Sequence, residues 1–138
     1  MKKILVPGLI AGAVMSLVAA IIGFLAGLLF PQLASEYANG TIFRPWSDPL
    51  MSLYFVYPFL LSIILSFVWS KTKTIIKGKS FQDRGVKFAL WYFLVGTVSG
   101  IFITYSSFQV SLLIVATWTI NGLFEAIVVG LIFAKMNP

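Results

Sequence analysis

Glu125 lies in an apolar run with Asn121 and Thr117 preceding it at four-residue intervals, the one place where this chain could do proton chemistry or hold a cation away from water. Residues four apart share a face of a helix, so the three make a polar stripe. A charged side chain at bilayer depth costs about 2.5–3.5 kcal/mol on insertion scales. A carboxyl that stays uncharged among hydrogen-bonding neighbours, or that faces a water-filled space, costs less. Asn121 is the expected companion of Glu125, which is placed about three-quarters along its helix. Ser62 and Ser66, or Thr97 and Ser99, are candidate partners from other helices. Three roles suit Glu125: a proton or cation coupling site, a buried clamp that fixes helix register, or a partner for a loop lysine.

The rest of the chain narrows the chemistry further. It has no cysteine and no histidine, so thiolate ligands, Cys nucleophiles and the usual imidazole proton shuttle are all missing. The other acids, Glu36, Asp48 and Asp83, lie in the connections between the apolar runs, spread over both membrane faces. No catalytic residue, cofactor or metal site is assigned. A lipid-modifying enzyme is the weakest reading.

The elements that must position Glu125 follow from hydropathy. Of 138 residues 59% are hydrophobic and only 10% charged, against roughly a quarter charged in a soluble domain. Apolar runs at Ile4–Phe30, Leu50–Ser70, Lys87–Tyr105 and Val110–Ala134 match the roughly 20 residues that a helix needs to span a bilayer. The expected fold is a single all-α domain, a polytopic integral membrane protein built as a bundle of four transmembrane helices.

Charge sets the expected orientation. Lys2 and Lys3 precede the first span, Lys71, Lys73, Lys77, Lys79, Arg84 and Lys87 lie in or beside the connection 71–86, and Lys135 follows the last span. With four spans these regions share one side, and the positive-inside rule makes it cytoplasmic, with both termini. The outer loop, 31–49, carries Arg44 alone among basic residues and mixes Tyr37, Phe43 and Trp46 with Glu36 and Asp48, so it is expected to lie on the interface. A multi-pass protein of the cell's inner (plasma) membrane is the expected location. The basic loop is expected to touch anionic lipid headgroups, each cation being worth about 1 kcal/mol near the surface. The net charge of +6 is accounted for by topology, and no nucleic acid is expected.

Small residues recur where helices should meet. Gly8, Gly12, Ser16 and Ala20 form a ladder that Gly23 and Gly27 continue on a neighbouring stripe. Gly96 and Gly100 mark the third span, and Gly122, Ala126 and Gly130 the fourth. In lipid such residues let backbones approach closely. Ladders on three helices exceed the needs of one bundle, and a homo-oligomer or a larger membrane complex is expected. Pro7 is read in the first helical turn, and Pro58 as a kink or hinge in the second span. Asp48-Pro49 and Ser80-x-x-Asp83 read as helix starts. Trp69 is read as an interfacial anchor, and Tyr54, Tyr57, Tyr92, Tyr105 and Trp118 as belt residues or the lining of a pocket. The two halves are weakly similar, as a parallel repeat would be. The first functional expectation is a non-enzymatic accessory, assembly or self-associating subunit; the second is a small oligomeric transporter or channel using Glu125.

Overall fold

The computed structural model describes residues 1–138 and is entirely helical. Helix α1 spans Lys2–Leu29, a short α2 Gln32–Tyr37, and a 3-10 turn at Pro49–Ser52 leads into α3, Leu53–Thr72. Helix α4, Phe81–Tyr92, passes through a π-helical segment, Phe93–Val98, into α5, Ser99–Ser107, and α6 covers Leu112–Met136. These form four rods, Lys2–Leu29, Pro49–Thr72, Phe81–Ser107 and Leu112–Met136, each long and apolar enough to cross a membrane. Large apolar side chains point outward along all of them, among them Phe24, Phe55, Phe102 and Leu112. Water penalises such a surface and lipid accepts it.

Capping chemistry sets several boundaries. Asp48 Oδ1 accepts from the Leu50 N–H at 2.9 Å, which starts the 3-10 turn with Pro49 at its first position. Ser80 Oγ accepts from the Asp83 N–H at 3.2 Å, and Asp83 sits in the first turn of α4, where the helix dipole favours an acid. The third rod therefore starts at Phe81, before the expected Lys87, and shortens the basic connection. Pro7 lies inside α1 rather than in its first turn. A proline donates nothing to the carbonyl four residues back, and that carbonyl, of Lys3, accepts from Asn137 Nδ2 at 3.3 Å instead.

The rods pack in the order α3, α1, α6, α4. Between α1 and α3, Ser62 Oγ donates to the Gly8 carbonyl at 2.7 Å and Ser66 Oγ to that of Ile4 at 2.8 Å. Those bonds need close backbones: a Cβ on Gly8 would stand 2.9 Å from Ile63 Cα, and one on Gly12 2.8 Å from Phe59 Cα. Between α4 and α6, a Cβ on Gly85 would stand 2.7 Å from the Gly130 carbonyl oxygen, and where the π-helical segment meets α6, one on Gly122 would stand 2.6 Å from Thr97 Cγ2. Ala126 is fully buried.

Not all of the expected ladder is used this way. Gly23, Gly27 and Gly100 have open space where a side chain would go, and Gly96 meets only the ring of Tyr92. Gly85, which makes the tightest crossing with Gly130, lay outside the expected span. A parallel repeat would pair α3 with α4 as α1 pairs with α6. That seam is sparsely packed and closes where Trp69 meets Phe88 edge-to-face at 5.3 Å.

Two apolar cores result. One, around Met15, Leu65, Trp69, Phe88, Val129 and Phe133, lies toward the lysine-rich end of the bundle. The other, at the opposite end, joins Leu33 of α2 to Val110, Ile114 and Val115. Trp69 is buried in the first core rather than anchored at an interface. Its Nε1 donates to the Asn137 carbonyl at 2.8 Å, and the Arg84 guanidinium lies 5.4 Å from its ring centroid. With Lys73 Nζ donating to Asn137 Oδ1 at 2.8 Å, Asn137 ties together α1, α3 and α6 and closes this end.

Candidate functional site

Between the two cores lies a cavity of about 590 Å³ to which all four rods contribute. Its wall includes Pro58, which lies within the continuous helix α3 on one side, and the π-helical segment on the other, with Gly96 and Thr97. Single π turns inside helices are uncommon and often mark functional sites, because they re-aim the side chains that follow. Helix α1 offers small residues here, Ser16, Ala19 and Ala20, which leaves the space unfilled.

Glu125 and Asn121 form the polar side of the wall. Helix α6 begins at Leu112 and ends at Met136, so Glu125 is near its midpoint and not three-quarters along. The helix runs past the expected Ala134, drawn out by the bonds of Asn137. Asn121 Nδ2 donates to Glu125 Oε1 at 2.8 Å, the intrahelical pair that their spacing anticipates. Asn121 Oδ1 is buried and has no partner. Glu125 forms no ion pair: the two in the chain are Arg44–Asp48 and Asp83–Lys87. The loop-lysine role therefore has no counterpart in the fold. Tyr54, Tyr57, Tyr92 and Trp118 also line the cavity, whereas Tyr105 does not.

The remaining polar positions go elsewhere. Ser62 and Ser66 are fully buried against α1 and donate to its carbonyls, so neither reaches Glu125. Thr117 Oγ1 donates to the Leu113 carbonyl at 2.9 Å and lines a separate apolar groove between α1 and α6. Ser99 bonds to the Val95 carbonyl within its own helix. Thr97 faces the cavity. Of the seven polar candidates, Glu125, Asn121 and Thr97 line the cavity, and only the first two are hydrogen-bonded to each other.

The connection 31–49 covers the end of the site remote from the lysines. Tyr37 accepts from Trp118 Nε1 at 2.9 Å, and Phe43 stacks on both rings at 5.4 and 6.2 Å. Burial lifts the Tyr37 phenol above its ordinary value, while the Trp118 N–H pulls the other way. Glu36 Oε1 accepts from Ser111 Oγ at 2.9 Å, tying α2 to the start of α6. Trp118 thus belongs both to the cavity wall and to this cover.

Of the expected headgroup-binding cations, several have partners within the chain. Arg84 donates to the carbonyls of Ile76 and Lys73 at 3.1 and 2.8 Å. Lys87 Nζ bonds to Asp83 and to the Lys77 carbonyl, both at 3.0 Å, and Lys73 holds Asn137. Lys71 lies 5.5 Å from the Phe67 ring centroid, while the side chains of Lys77 and Lys79 make no hydrogen bond or ion pair.

No protein-family model, no curated protein and no solved structure matches this chain.

Proposed function

We propose that the protein is a non-enzymatic, multi-pass integral membrane protein of the small-solute carrier or channel kind, with Glu125 and Asn121 on the solute path. One observation carries this reading: the sole carboxyl embedded midway along the rods borders a cavity walled by all four of them. Ligand sites in helical membrane proteins lie near such depths, and a cavity of this size suits a small organic molecule. Pro58 and the π-helical segment are the two places in its wall where helices can bend, with Pro58 as the hinge.

In this reading the rods cross the cell's plasma membrane with the lysine-rich end and both termini in the cytoplasm, where nine of ten basic residues then fall. Lys71, Lys77 and Lys79 meet anionic headgroups there. The Asn137 tie closes the cytoplasmic end, so the cavity is reached from the opposite side, past the loop 31–49 that covers it.

The test is flux. Proteoliposomes carrying a pH-sensitive dye and an imposed proton gradient are challenged in turn with small amines, sugars and carboxylates. Solute-dependent proton movement is expected in the native protein and should fall to the protein-free rate in Glu125→Gln. A native protein that moves none of these solutes above protein-free vesicles contradicts the reading.

A second reading, a self-associating or accessory subunit, is favoured by one feature. Gly23, Gly27 and Gly100 present open faces that nothing in the chain fills, as residues awaiting a neighbouring helix would. The two readings are compatible if the carrier is an oligomer.

A further inference from the structure

The cavity wall carries one carboxyl and no basic side chain. Glu125 is the only acidic residue in it. It has no ion-pair partner, and its hydrogen bond comes from Asn121. Beside it, Asn121 Oδ1 is buried without a donor. A carboxyl with a single donor and no counter-charge is costly away from water, so Glu125 calls for a ligand that brings hydrogens. Tyr54, Tyr57, Tyr92 and Trp118 line the same space, and the faces of such rings attract cations.

We propose that the cavity binds a protonated organic amine, its ammonium group paired with the Glu125 carboxyl and its apolar body lying against the rings. The assignment rests on the carrier reading and names its substrate class. An anion would meet the carboxyl and the negative ring faces. A neutral sugar or alcohol would supply hydrogens but leave Glu125 without a counter-charge. The surroundings also favour a ligand with an apolar part. Tyr92 and Gly96 line both the cavity and an apolar groove along the α3–α4 seam formed with Leu65, Val68 and Val95, so one amphipathic molecule can touch both.

The experiment is calorimetric titration of the full chain in nanodiscs at neutral pH, with 2-phenylethylammonium and with 2-phenylethanol, each corrected with empty nanodiscs. The two probes share ring and chain length and differ in charge. The native protein is expected to bind the amine about tenfold more tightly than the alcohol, the scale of a hydrogen bond to a charged group. Glu125→Gln is expected to lower the amine to the affinity of the alcohol while the alcohol itself is unaffected, which also shows that the variant keeps its cavity. Equal affinities in the native protein overturn the amine assignment yet leave the cavity as a solute site. An amine preference that survives Glu125→Gln overturns the part given to Glu125. Binding of neither probe overturns the assignment outright, and the flux panel then judges the carrier reading on its own.

Discussion

Gly130→Leu is expected to abolish the native packing of α4 on α6, with loss of monodisperse protein after extraction into mild detergent. The reason is geometric. Gly130 faces Gly85 so closely that even a single added carbon on Gly85 would stand 2.7 Å from the Gly130 carbonyl oxygen. Clashes with a flexible side chain relax, but here the obstacle is backbone on both sides. Overpacking a core typically costs about 1–3 kcal/mol, and a backbone-on-backbone clash belongs at or above the top of that range. Gly23→Leu is the matched control, because nothing lies within 4 Å of its added carbon. It should extract and elute like the native protein. The measurement is size-exclusion elution together with the midpoint of thermal aggregation. Equal behaviour of the two variants would show that the Gly85–Gly130 crossing is not where the rods meet.

Trp69→Ala should be comparably damaging, by about 3–5 kcal/mol. Trp69 is completely buried. It packs edge-to-face on Phe88 at 5.3 Å, supports the Arg84 guanidinium, and donates to the Asn137 carbonyl. The substitution leaves a large void and strands that carbonyl. Trp69→Phe keeps much of the volume and loses the N–H, so it should fall between, about 1–2 kcal/mol below the native protein on the hydrogen-bond part alone. Reversible unfolding in mixed micelles would measure both. Native-like stability of the alanine variant would place this side chain at the lipid interface, where its residue type alone suggested it.

That reversal shows what kind of information the residues carry. Rod number and approximate extent were readable because a bilayer demands apolar runs of a set length, and the caps at Asp48 and Ser80 because local hydrogen bonds leave local signatures. Neighbour relations were not. Gly8 and Gly27 look alike in the sequence, yet only the first is pressed against another helix. Ser62 and Ser66 read as partners for an embedded acid, but a serine close to a glycine-rich neighbour satisfies itself on that neighbour's carbonyls. The polar stripe was half right, since Asn121 and Glu125 stayed together while Thr117, a turn earlier, turned its hydroxyl back to the Leu113 carbonyl. The π-helical segment left no signal in residue type that we recognise, and Asn137 had no pattern around it. Both depend on tertiary contacts, and both shape the site.

The chain contains no cysteine, so single-cysteine variants need no background substitutions, and thiol accessibility tests the cavity directly. Thr97→Cys, Ser66→Cys and Phe102→Cys place a thiol in the cavity wall, in the α1–α3 contact and on the outward face. Each is treated in vesicles with a charged methanethiosulfonate reagent added on the side away from the lysine-rich loop. Only a thiol reached by water ionises and reacts, so Thr97→Cys should label while Ser66→Cys and Phe102→Cys stay unmodified. A Thr97→Cys thiol as inert as the other two would mean that no water-filled space borders Glu125, and the solute site would go with it.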